Sequence, residues 1–453
     1  MNDLARSIQR TYLVLLLGNT LAASFIWGIN TLFLLDAGLS NLEAFAANAF
    51  FTAGMVMFEI PTGVVADTVG RRMSYLLGTI TLAVATLLYY LLWVVEASFP
   101  LWALVSVLLG LGFTFFSGAV EAWLVDALHH AGYEGGLEAV MGRGQMVSGA
   151  AMLGGSVAGG VIAQATSLGV PFLMRVAVLL VMFAAAYRLM HDLGFSPAPG
   201  ERPLAAVRGV FNASVKYGLG NRPVRWVMLA APFTSGVGFY TFYALQPYLL
   251  ELYGDSQAYA VAGLAAAIVA GAQIAGGYAA PWIRGLFRKR TTSLILGGVA
   301  STAVLVLLGL TNAFWLALVL LAAWGLIFAA NMPIRQAYLN DMIPSKQRAT
   351  VLSFDSLMGS SGGVVIQPIL GRVADVYSYG TSFVIGSAFQ IIAAPFLLAS
   401  RRQHDPADTA TAVVSAPATA TSSAPAPIQL FSLNSAGKVA NVCARMLASQ
   451  SWM

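Results

Sequence analysis

The ionisable side chains inside long apolar stretches are the residues of this sequence best placed to do chemistry. Charged residues make up only 9% of the 453 positions. A charge at the centre of a bilayer-spanning helix costs roughly 2.5 to 3.5 kcal/mol, so such a residue usually pairs with a partner or handles ions or protons. The candidates are Glu59, Glu121, Arg175, Arg335 and Asp355.

The stretch GVVADTVGRR, residues 63–72, concentrates charge in a different way. It places Asp67, Arg71 and Arg72 within ten positions, between two apolar runs. Gly70 allows the tight turn that such a short connection needs. An ion pair at a membrane boundary is partly desolvated and therefore stronger than one in water. The stretch predicts a charged contact between helices; the alternative is that Arg71 and Arg72 only fix the topology of the loop.

The sequence contains no pattern that predicts a catalytic site or a metal site. Cys443 is the only cysteine, which excludes a disulfide within the chain and a cysteine metal cluster. The four histidines are in predicted polar segments, and no HExxH, paired-carboxylate or Walker pattern occurs. We therefore expect neither an enzyme nor a bound metal or cofactor.

The composition indicates that the chain folds in a lipid bilayer. The sequence is 58% apolar with a mean hydropathy of +0.75, whereas soluble domains carry about 25% charged residues. About 20 apolar residues span a bilayer as a helix, and apolar runs without alternation indicate helices, not barrel strands. The sequence predicts an all-α membrane protein with twelve spans at residues 11–34, 43–66, 73–95, 100–127, 144–166, 168–190, 225–252, 258–283, 292–311, 313–341, 349–374 and 378–399.

Basic residues indicate the orientation of these spans. Arginine and lysine collect in alternate loops, and such loops stay in the cytoplasm. We therefore expect a multi-pass protein of the plasma (inner) membrane with both termini cytoplasmic. The net charge of +5 is spread over separate membrane-flanking loops, so it does not indicate nucleic-acid binding.

Internal repetition divides the chain into two halves. LAASFIWG at 21–28 recurs as LAAPFTSG at 229–236, and EAWLVD at 121–126 recurs as QAYLND at 336–341. Duplicated halves are common in transporters. The predicted organisation is an N-terminal six-helix bundle at 1–190, a basic cytoplasmic linker at 191–224, a C-terminal six-helix bundle at 225–400, and a low-complexity tail at 401–453 that we expect to be disordered.

Twelve spans in two halves, a basic central loop and the stretch at 63–72 together resemble the major facilitator superfamily. The matching motif residues are Gly63, Asp67, Gly70, Arg71 and Arg72. The resemblance implies that this motif closes the cytoplasmic side, with Arg71 meeting an acid at the end of the fourth span. That acid would be Asp126, and Asp67 would face the start of the eleventh span near Arg348.

The sequence also departs from the patterns of the family. In the second half, Pro281 stands where the counterpart of Asp67 would lie, which leaves one charged latch. The fifth span has Ser156 in place of the family's proline, within a glycine-rich run at Gly155, Gly159 and Gly160 that we expect to pack helices closely. Ser106 replaces an arginine that many proton-coupled members carry.

The repeat suggests which carboxyls exchange protons. FEIPTG at 58–63 is echoed by AQIAGG at 272–277, which aligns Glu59 with Gln273, and Glu121 aligns with Gln336. Only the acid of each pair can carry a proton, and burial favours the protonated form of a carboxyl. Glu59 and Glu121 are therefore the proton-coupling candidates, the alternative being structural pairing, for example of Glu121 with Arg143.

The other intramembrane charges have simpler interpretations. Arg335 and Asp355 lie at similar depth and are expected to neutralise each other in an ion pair. Arg175, near the outer end of its span, could extend to the membrane boundary or bind an anion. Side chains that could line a substrate cavity are Trp27, Asn30, Phe113, Phe233, Tyr240, Tyr243, Trp324 and Asn331.

The sequence thus predicts a secondary transporter that works by alternating access. Its expected activity is proton-coupled efflux of a hydrophobic or amphipathic small molecule, as in the drug and proton antiporters that it resembles. The alternatives are uptake or facilitated diffusion of a small nutrient, and a non-transporting membrane sensor on the same fold. The expected partners are the substrate, protons and lipid, and the expected state is a monomer.

Overall fold

The structure is a computed structural model that describes residues 3–116, 118–197, 215–343 and 345–409. The first group of helices, here called the N-half, comprises α1 (Asp3–Trp27), α2 (Asn30–Asp36), α3 (Asn41–Thr68), α4 (Arg71–Val94), α5 (Phe99–Phe116), α6 (Ala119–His130), α7 (Leu137–Ala165) and α8 (Gly169–Leu189). The second group, here called the C-half, comprises α9 (Arg222–Tyr253), α10 (Tyr259–Gly285), α11 (Arg290–Leu310), α12 (Phe314–Met342), α13 (Ser345–Val376), α14 (Tyr379–Ile391) and α15 (Ala393–Arg401).

The helices are those of a multi-pass membrane protein. In the described part of the chain, nine helical stretches are long and apolar enough to cross a bilayer, with α5–α6 and α14–α15 each counted as one, or ten if the bent pair α1 and α2 is one span. Helices α9 and α13 are 32 residues long but are not in this set. Serines and glycines such as those of SLMGSSGG lower the hydropathy of α13. The membrane-helical class is supported, whereas the number twelve is not confirmed.

Three of the predicted spans are interrupted. Helices α1 and α2 meet at an angle of 47°. Gly118, between α5 and α6, has a φ of 65°, which favours glycine. Helix α14 ends at Ile391 and α15 begins at Ala393. These interruptions divide each of the predicted spans at 11–34, 100–127 and 378–399 into two consecutive helices.

The side chain of Gln246, on α9, forms hydrogen bonds with backbone groups at the break between α1 and α2. Its Oε1 accepts a hydrogen bond from the N–H of Thr31 at 2.8 Å, and its Nε2 donates one to the carbonyl of Trp27 at 2.9 Å. A broken helix is tolerated inside a membrane when another element supplies such partners. The break in the N-half is therefore stabilised by the C-half.

The two halves repeat one packing pattern. In the N-half, α1 packs on α7 and α8, α3 on α5, and α4 on α5 and α8. In the C-half, α9 packs on α13 and α15, α10 on α12, and α11 on α12 and α14. The halves contact each other through α3 with α13 and through α7 with α10. Cavities for a substrate can therefore form within each half and between the halves.

The three glycines of the α7 run lie at close helix contacts. A Cβ on Gly159 would collide with the Phe25 carbonyl oxygen, and one on Gly155 would lie 2.6 Å from the Cβ of Ser24. A Cβ on Gly160 would lie 2.5 Å from the carbonyl oxygen of Tyr259. The absence of side chains thus lets α7 approach both α1 and, across the interface, α10.

Two faces of the bundle serve as references below. The α2 face carries α2 and the ends of α3, α7, α10 and α13 near Asn41, Ala165, Tyr259 and Val376. The Arg71 face is the opposite end, with the α3–α4 and α10–α11 connections. The predicted tail from residue 410, the middle of the predicted linker at 198–214 and Cys443 lie outside the described residues.

Candidate functional site

The motif at 63–72 forms the end of α3 and the start of α4. Gly70 has a φ of 128°, and a Cβ there would collide with the carboxylate of Asp192. The Oδ1 of Asp192 accepts a hydrogen bond from the backbone N–H of Arg72 at 2.9 Å. Gly63 lies one turn before Asp67 on α3. Gly70 is thus required both by the backbone conformation and by the close approach of Asp192.

Arg71 is the buried centre of this motif. Its side chain is 5% exposed; its Nη1 pairs with Oδ1 of Asp67, and its Nε lies 3.8 Å from Oδ2 of Asp126. Its guanidinium also lies 5.7 Å from the ring centre of Phe195. The Arg72 guanidinium lies 4.9 Å from the Tyr187 ring centre. Arg71 therefore joins the end of α3 to the end of α6.

Asp192 and Phe195 are not among the site residues that the sequence predicts. The sequence predicts a linker at residues 191–224, yet the described start of that segment packs on the motif. Trp123 donates a hydrogen bond to the carbonyl of His191 at 2.7 Å, which holds the segment against α6. A carboxylate two residues after an apolar span was the only signal in the sequence.

A matching charged cluster on the C-half corrects the expectation of a single latch. The Nη1 of Arg290 lies 2.6 Å from Oδ2 of Asp341, which aligns with Asp126 in the repeat. The Oδ1 of Asp408 accepts a hydrogen bond from the N–H of Thr291 at 2.8 Å, as Asp192 does from Arg72. These carboxylates come from α12 and the segment after α15. Pro281 on α10 therefore does not prevent the cluster from forming.

A cavity between the halves, here called the central cavity, contains the first proton-coupling candidate. Glu59 of α3 and Gln273 of α10 both line it, as the repeat alignment pairs them. Its remaining walls are mainly apolar and aromatic: Met55, Val56, Gly238, Phe239, Phe242, Tyr243, Trp324, Phe328, Met332 and Leu357, with Ser235, Ser356 and Ser360. It thus combines one acid with a surface suited to an apolar ligand.

A second cavity, here called the N-half cavity, contains Glu121 and Arg175. Its volume of about 220 Å³ is the largest of the three cavities described here. Trp27, Asn30 and Phe113 line it as the sequence predicted, and Asn19, Asn48 and Tyr89 add polar groups that were not predicted. Tyr243 lines both this cavity and the central one, so the two adjoin. Arg143, suggested as a partner for Glu121, is exposed on α7.

A third cavity, here called the C-half cavity, contains Arg335 and Asp355. Two hydrogen bonds of 2.7 and 2.6 Å join their side chains, and Nη2 of Arg335 also contacts the Val227 carbonyl at 3.3 Å. Asn331 lines the same cavity. The two opposite charges therefore neutralise each other as an ion pair.

Two predicted cavity residues pack against other aromatic side chains instead. Phe233 stacks on Phe396 with ring centres 5.9 Å apart. Tyr240 is fully buried beside Phe45, and its hydroxyl is hydrogen-bonded to Ser382 at 2.5 Å. Neither lines the three cavities, because residues on α9 point in different directions at 100° per residue. Both predictions are corrected to packing roles.

On the α2 face, each half caps a helix of the other half. The carboxylate of Asp375, next to the end of α13, accepts hydrogen bonds from the N–H groups of Asn41 and Leu42 at 2.8 Å each. Gln164, next to the end of α7, accepts one from the N–H of Ala260 at 2.9 Å. These two caps, here called the α2-face clasp, must break if the halves separate at this face.

Comparisons with known proteins agree with this architecture. The chain matches the family model for the Major Facilitator Superfamily at residues 12–366 and 282–439. A search of curated proteins gave no significant match.

Similar solved structures include a mutant of the nucleoside transporter NupG, with a TM-score of 0.74 at 10% identity over 87% of this chain and 99% of that chain. A bacterial homologue of the human lysosomal transporter Spinster gives 0.66 at 16% identity, covering 88% and 98%. A D-xylose–proton symporter gives 0.60 at 17% identity, covering 87% and 96%. At these identities the likeness shows the fold alone.

The family and the structural neighbours are transporters, in agreement with the expectation that the protein is not an enzyme. The apolar helices and the shared architecture identify it as a multi-pass membrane protein. The chain belongs to the major facilitator superfamily.

Proposed function

We propose that the protein exports an amphipathic small molecule in exchange for protons, by alternating access. The observation that carries this proposal is the placement of Glu59 and Glu121 in two cavities that adjoin at Tyr243. A carboxyl in such a place can bind a proton when the cavity faces one side of the membrane and release it on the other side.

The proposed motion is a rocking of the residue 1–190 unit against the 225–400 unit. The units meet mainly through α3 with α13 and α7 with α10, with a smaller contact of α9 at α2, and the α2-face clasp holds them together at one face. The motif around Arg71 would close the opposite face, which we assign to the cytoplasm together with both termini. The host membrane is proposed to be the plasma membrane, with the monomer as the functional unit.

The walls of the central cavity support an amphipathic substrate. Phe239, Phe242 and Trp324 offer aromatic surface, while Glu59 and Gln273 offer polar contacts. A molecule with an apolar body and one polar group fits this combination. Exchange with protons would follow if substrate and proton compete for the same cavity.

Uptake of a small polar metabolite is the second candidate function. The sequence suggested too few polar groups for it, yet Asn19, Asn30 and Asn48 all line the N-half cavity. The solved structures that this chain resembles also include a nucleoside transporter and a D-xylose–proton symporter. Movement of substrate and proton in the same direction would favour this candidate.

Reconstituted liposomes with an imposed pH gradient test the proposal. Lumenal pH is followed while lipophilic cations, neutral amphiphiles and amphipathic anions are added. We expect substrate-dependent proton flux that is lost in Glu121→Gln or Glu59→Gln and kept in Glu251→Gln, a control at an exposed acid of α9. Substrate movement without proton flux would contradict coupling, and no movement of any compound would favour a non-transporting sensor.

A further inference from the structure

Arg175 is an intramembrane arginine that forms no ion pair with any of the described residues. It lines the N-half cavity from α8. Among the described residues, no carboxylate lies within 4 Å of its nitrogens and no hydrogen bond involves its side chain; its Nε is buried without an acceptor. The other intramembrane arginine, Arg335, is neutralised by Asp355. An unneutralised guanidinium in a cavity has its full capacity to bind an anion.

A second unsatisfied donor lines the same cavity. The Oδ1 of Asn48 accepts a hydrogen bond from Nδ2 of Asn30 at 2.9 Å, whereas the Nδ2 of Asn48 is buried and has no acceptor in the described part of the chain. Buried donors normally have partners, and each exception needs an explanation. A ligand with two acceptor oxygens, such as a carboxylate, offers a partner to each of these two donors.

These donors lie at similar depth near the α2 face. Arg175 follows the start of α8 by six residues and Asn48 follows the start of α3 by seven, so both lie about 10 Å inside the bundle at 1.5 Å per residue. The side chains of Tyr89 and Tyr243 line the same cavity as Arg175. The hydroxyl of Tyr89 is hydrogen-bonded to Ser106. The cavity therefore holds further polar groups besides the two unsatisfied donors.

Glu121 lies toward the other end of the cavity. It precedes the end of α6, on the Arg71 face, by nine residues, which is about 14 Å. It forms no ion pair with a described residue. The cavity between these ends is lined by apolar side chains such as Leu82, Leu109 and Phe113. Its two charged groups are therefore set apart by a mainly apolar middle, in which Asn19, Thr20 and Ser24 of α1 are polar.

We propose that the Arg175 end of the N-half cavity binds the carboxylate of the transported molecule, with Asn48 donating a second hydrogen bond. The substrate class is then an organic acid with an apolar body, which the apolar middle of the cavity accommodates. This inference rests on the proposed transport function and makes its substrate class more specific. It also separates anion binding at Arg175 from proton binding at Glu121.

Binding of matched probes to the purified full-length protein tests the inference. The probes are 3-phenylpropanoate and 6-phenylhexanoate, with their uncharged amides and the corresponding amines; the readouts are the ligand-induced rise in Tm and the Kd by calorimetry. We expect the carboxylates to bind at least tenfold more tightly than the amides. Arg175→Gln should weaken carboxylate binding roughly tenfold or more and leave amide binding unchanged.

Three further variants keep the test decisive. Arg143→Gln removes the same charge at an exposed position and should change nothing. Arg175→Lys should bind carboxylates with intermediate affinity. Asn48→Asp places a carboxylate beside the site and should weaken carboxylate binding selectively, which provides a test even if Arg175→Gln does not fold. Equal binding of carboxylates and amides by the wild type, or unchanged carboxylate binding in Arg175→Gln and Asn48→Asp, would overturn the inference.

Counterflow in liposomes separates this inference from the proposed function. Carboxylates that bind through Arg175 but are not transported would leave the anion site valid and contradict transport. Transport of neutral or cationic amphiphiles that is unaffected by Arg175→Gln would support the transport function and contradict the anion site.

Discussion

The N-half cavity and the C-half cavity lie within repeated sets of helices, yet their charged side chains differ in whether they form ion pairs. In the C-half, Arg335 and Asp355 form a bidentate ion pair. In the N-half, Glu121 and Arg175 share a cavity without an ion pair to any described residue. A paired charge is satisfied in place, whereas an unpaired one can still bind a proton or a ligand. We therefore propose that pairing separates the structural intramembrane charges Arg335 and Asp355 from the functional ones Glu121 and Arg175.

The largest expected effect comes from breaking the C-half pair. Asp355→Asn leaves Arg335 without its partner, and the two side chains are only 9% and 18% exposed. We expect a loss of about 3 kcal/mol in the free energy of unfolding. Glu121→Gln breaks no ion pair and should change it by less than about 1 kcal/mol. Thermal unfolding of both purified variants measures the difference.

Rescue experiments separate pairing from substrate contact at the C-half pair. The double variant Arg335→Gln with Asp355→Asn, or the exchanged pair Arg335→Asp with Asp355→Arg, should recover most of the lost stability. Single variants as stable as the wild type would show that the pair is not structural.

The arginine clusters on the Arg71 face extend the comparison of the halves. Arg71→Gln would leave two partly buried acids, Asp67 and Asp126, facing each other. Arg290→Gln would leave Asp341, whose side chain is 47% exposed and can be solvated. We expect losses in the free energy of unfolding of about 2 and 1 kcal/mol respectively. Chemical or thermal unfolding measures both, and a larger loss in Arg290→Gln would contradict this ranking.

A carboxylate introduced next to Arg175 should pair with it, as Asp355 pairs with Arg335 in the C-half cavity. Leu179 lies one turn after Arg175 and lines the same cavity. Leu179→Glu should pair with the guanidinium and reduce 3-phenylpropanoate affinity about tenfold, or about 1.4 kcal/mol. Leu179→Gln has nearly the same shape without the charge and serves as the control. Equal affinities of the two variants, measured by calorimetry, would argue against an anion site.

The smallest effect is expected at the α2-face clasp. Asp375→Asn removes the charge and one of two acceptors at the start of α3, which should favour separation of the halves by about 0.5 to 1 kcal/mol. Spin labels on Ser40→Cys and Tyr377→Cys, with Cys443→Ser, report the distance across this face. Asp255→Asn, at an exposed acid nearby, is the control. An unchanged distance distribution in Asp375→Asn would show that the clasp contributes nothing.

Much of the fold was predictable because it depends on local sequence. Long apolar runs indicate membrane helices, and Gly70 beside Asp67 and the arginines marks a charged turn. The missed residues act over long separations: Asp192 contacts a residue 120 positions away, Gln246 one 215 positions away and Asp375 one 334 positions away. A polar side chain near a helix end gives no local sign of such a partner. The break at Gly118 did have a signal, the Ser-Gly pair in the middle of the fourth predicted span.

Proton flux in reconstituted liposomes tests most directly whether unpaired charges carry the function. Three proteins are compared under one pH gradient: wild type, Glu121→Gln, and the double variant Arg335→Gln with Asp355→Asn. We predict that substrate-dependent proton flux is lost in Glu121→Gln and retained in the double variant. Flux that persists in Glu121→Gln but disappears in a folded double variant would contradict the assignment of function to the unpaired charges.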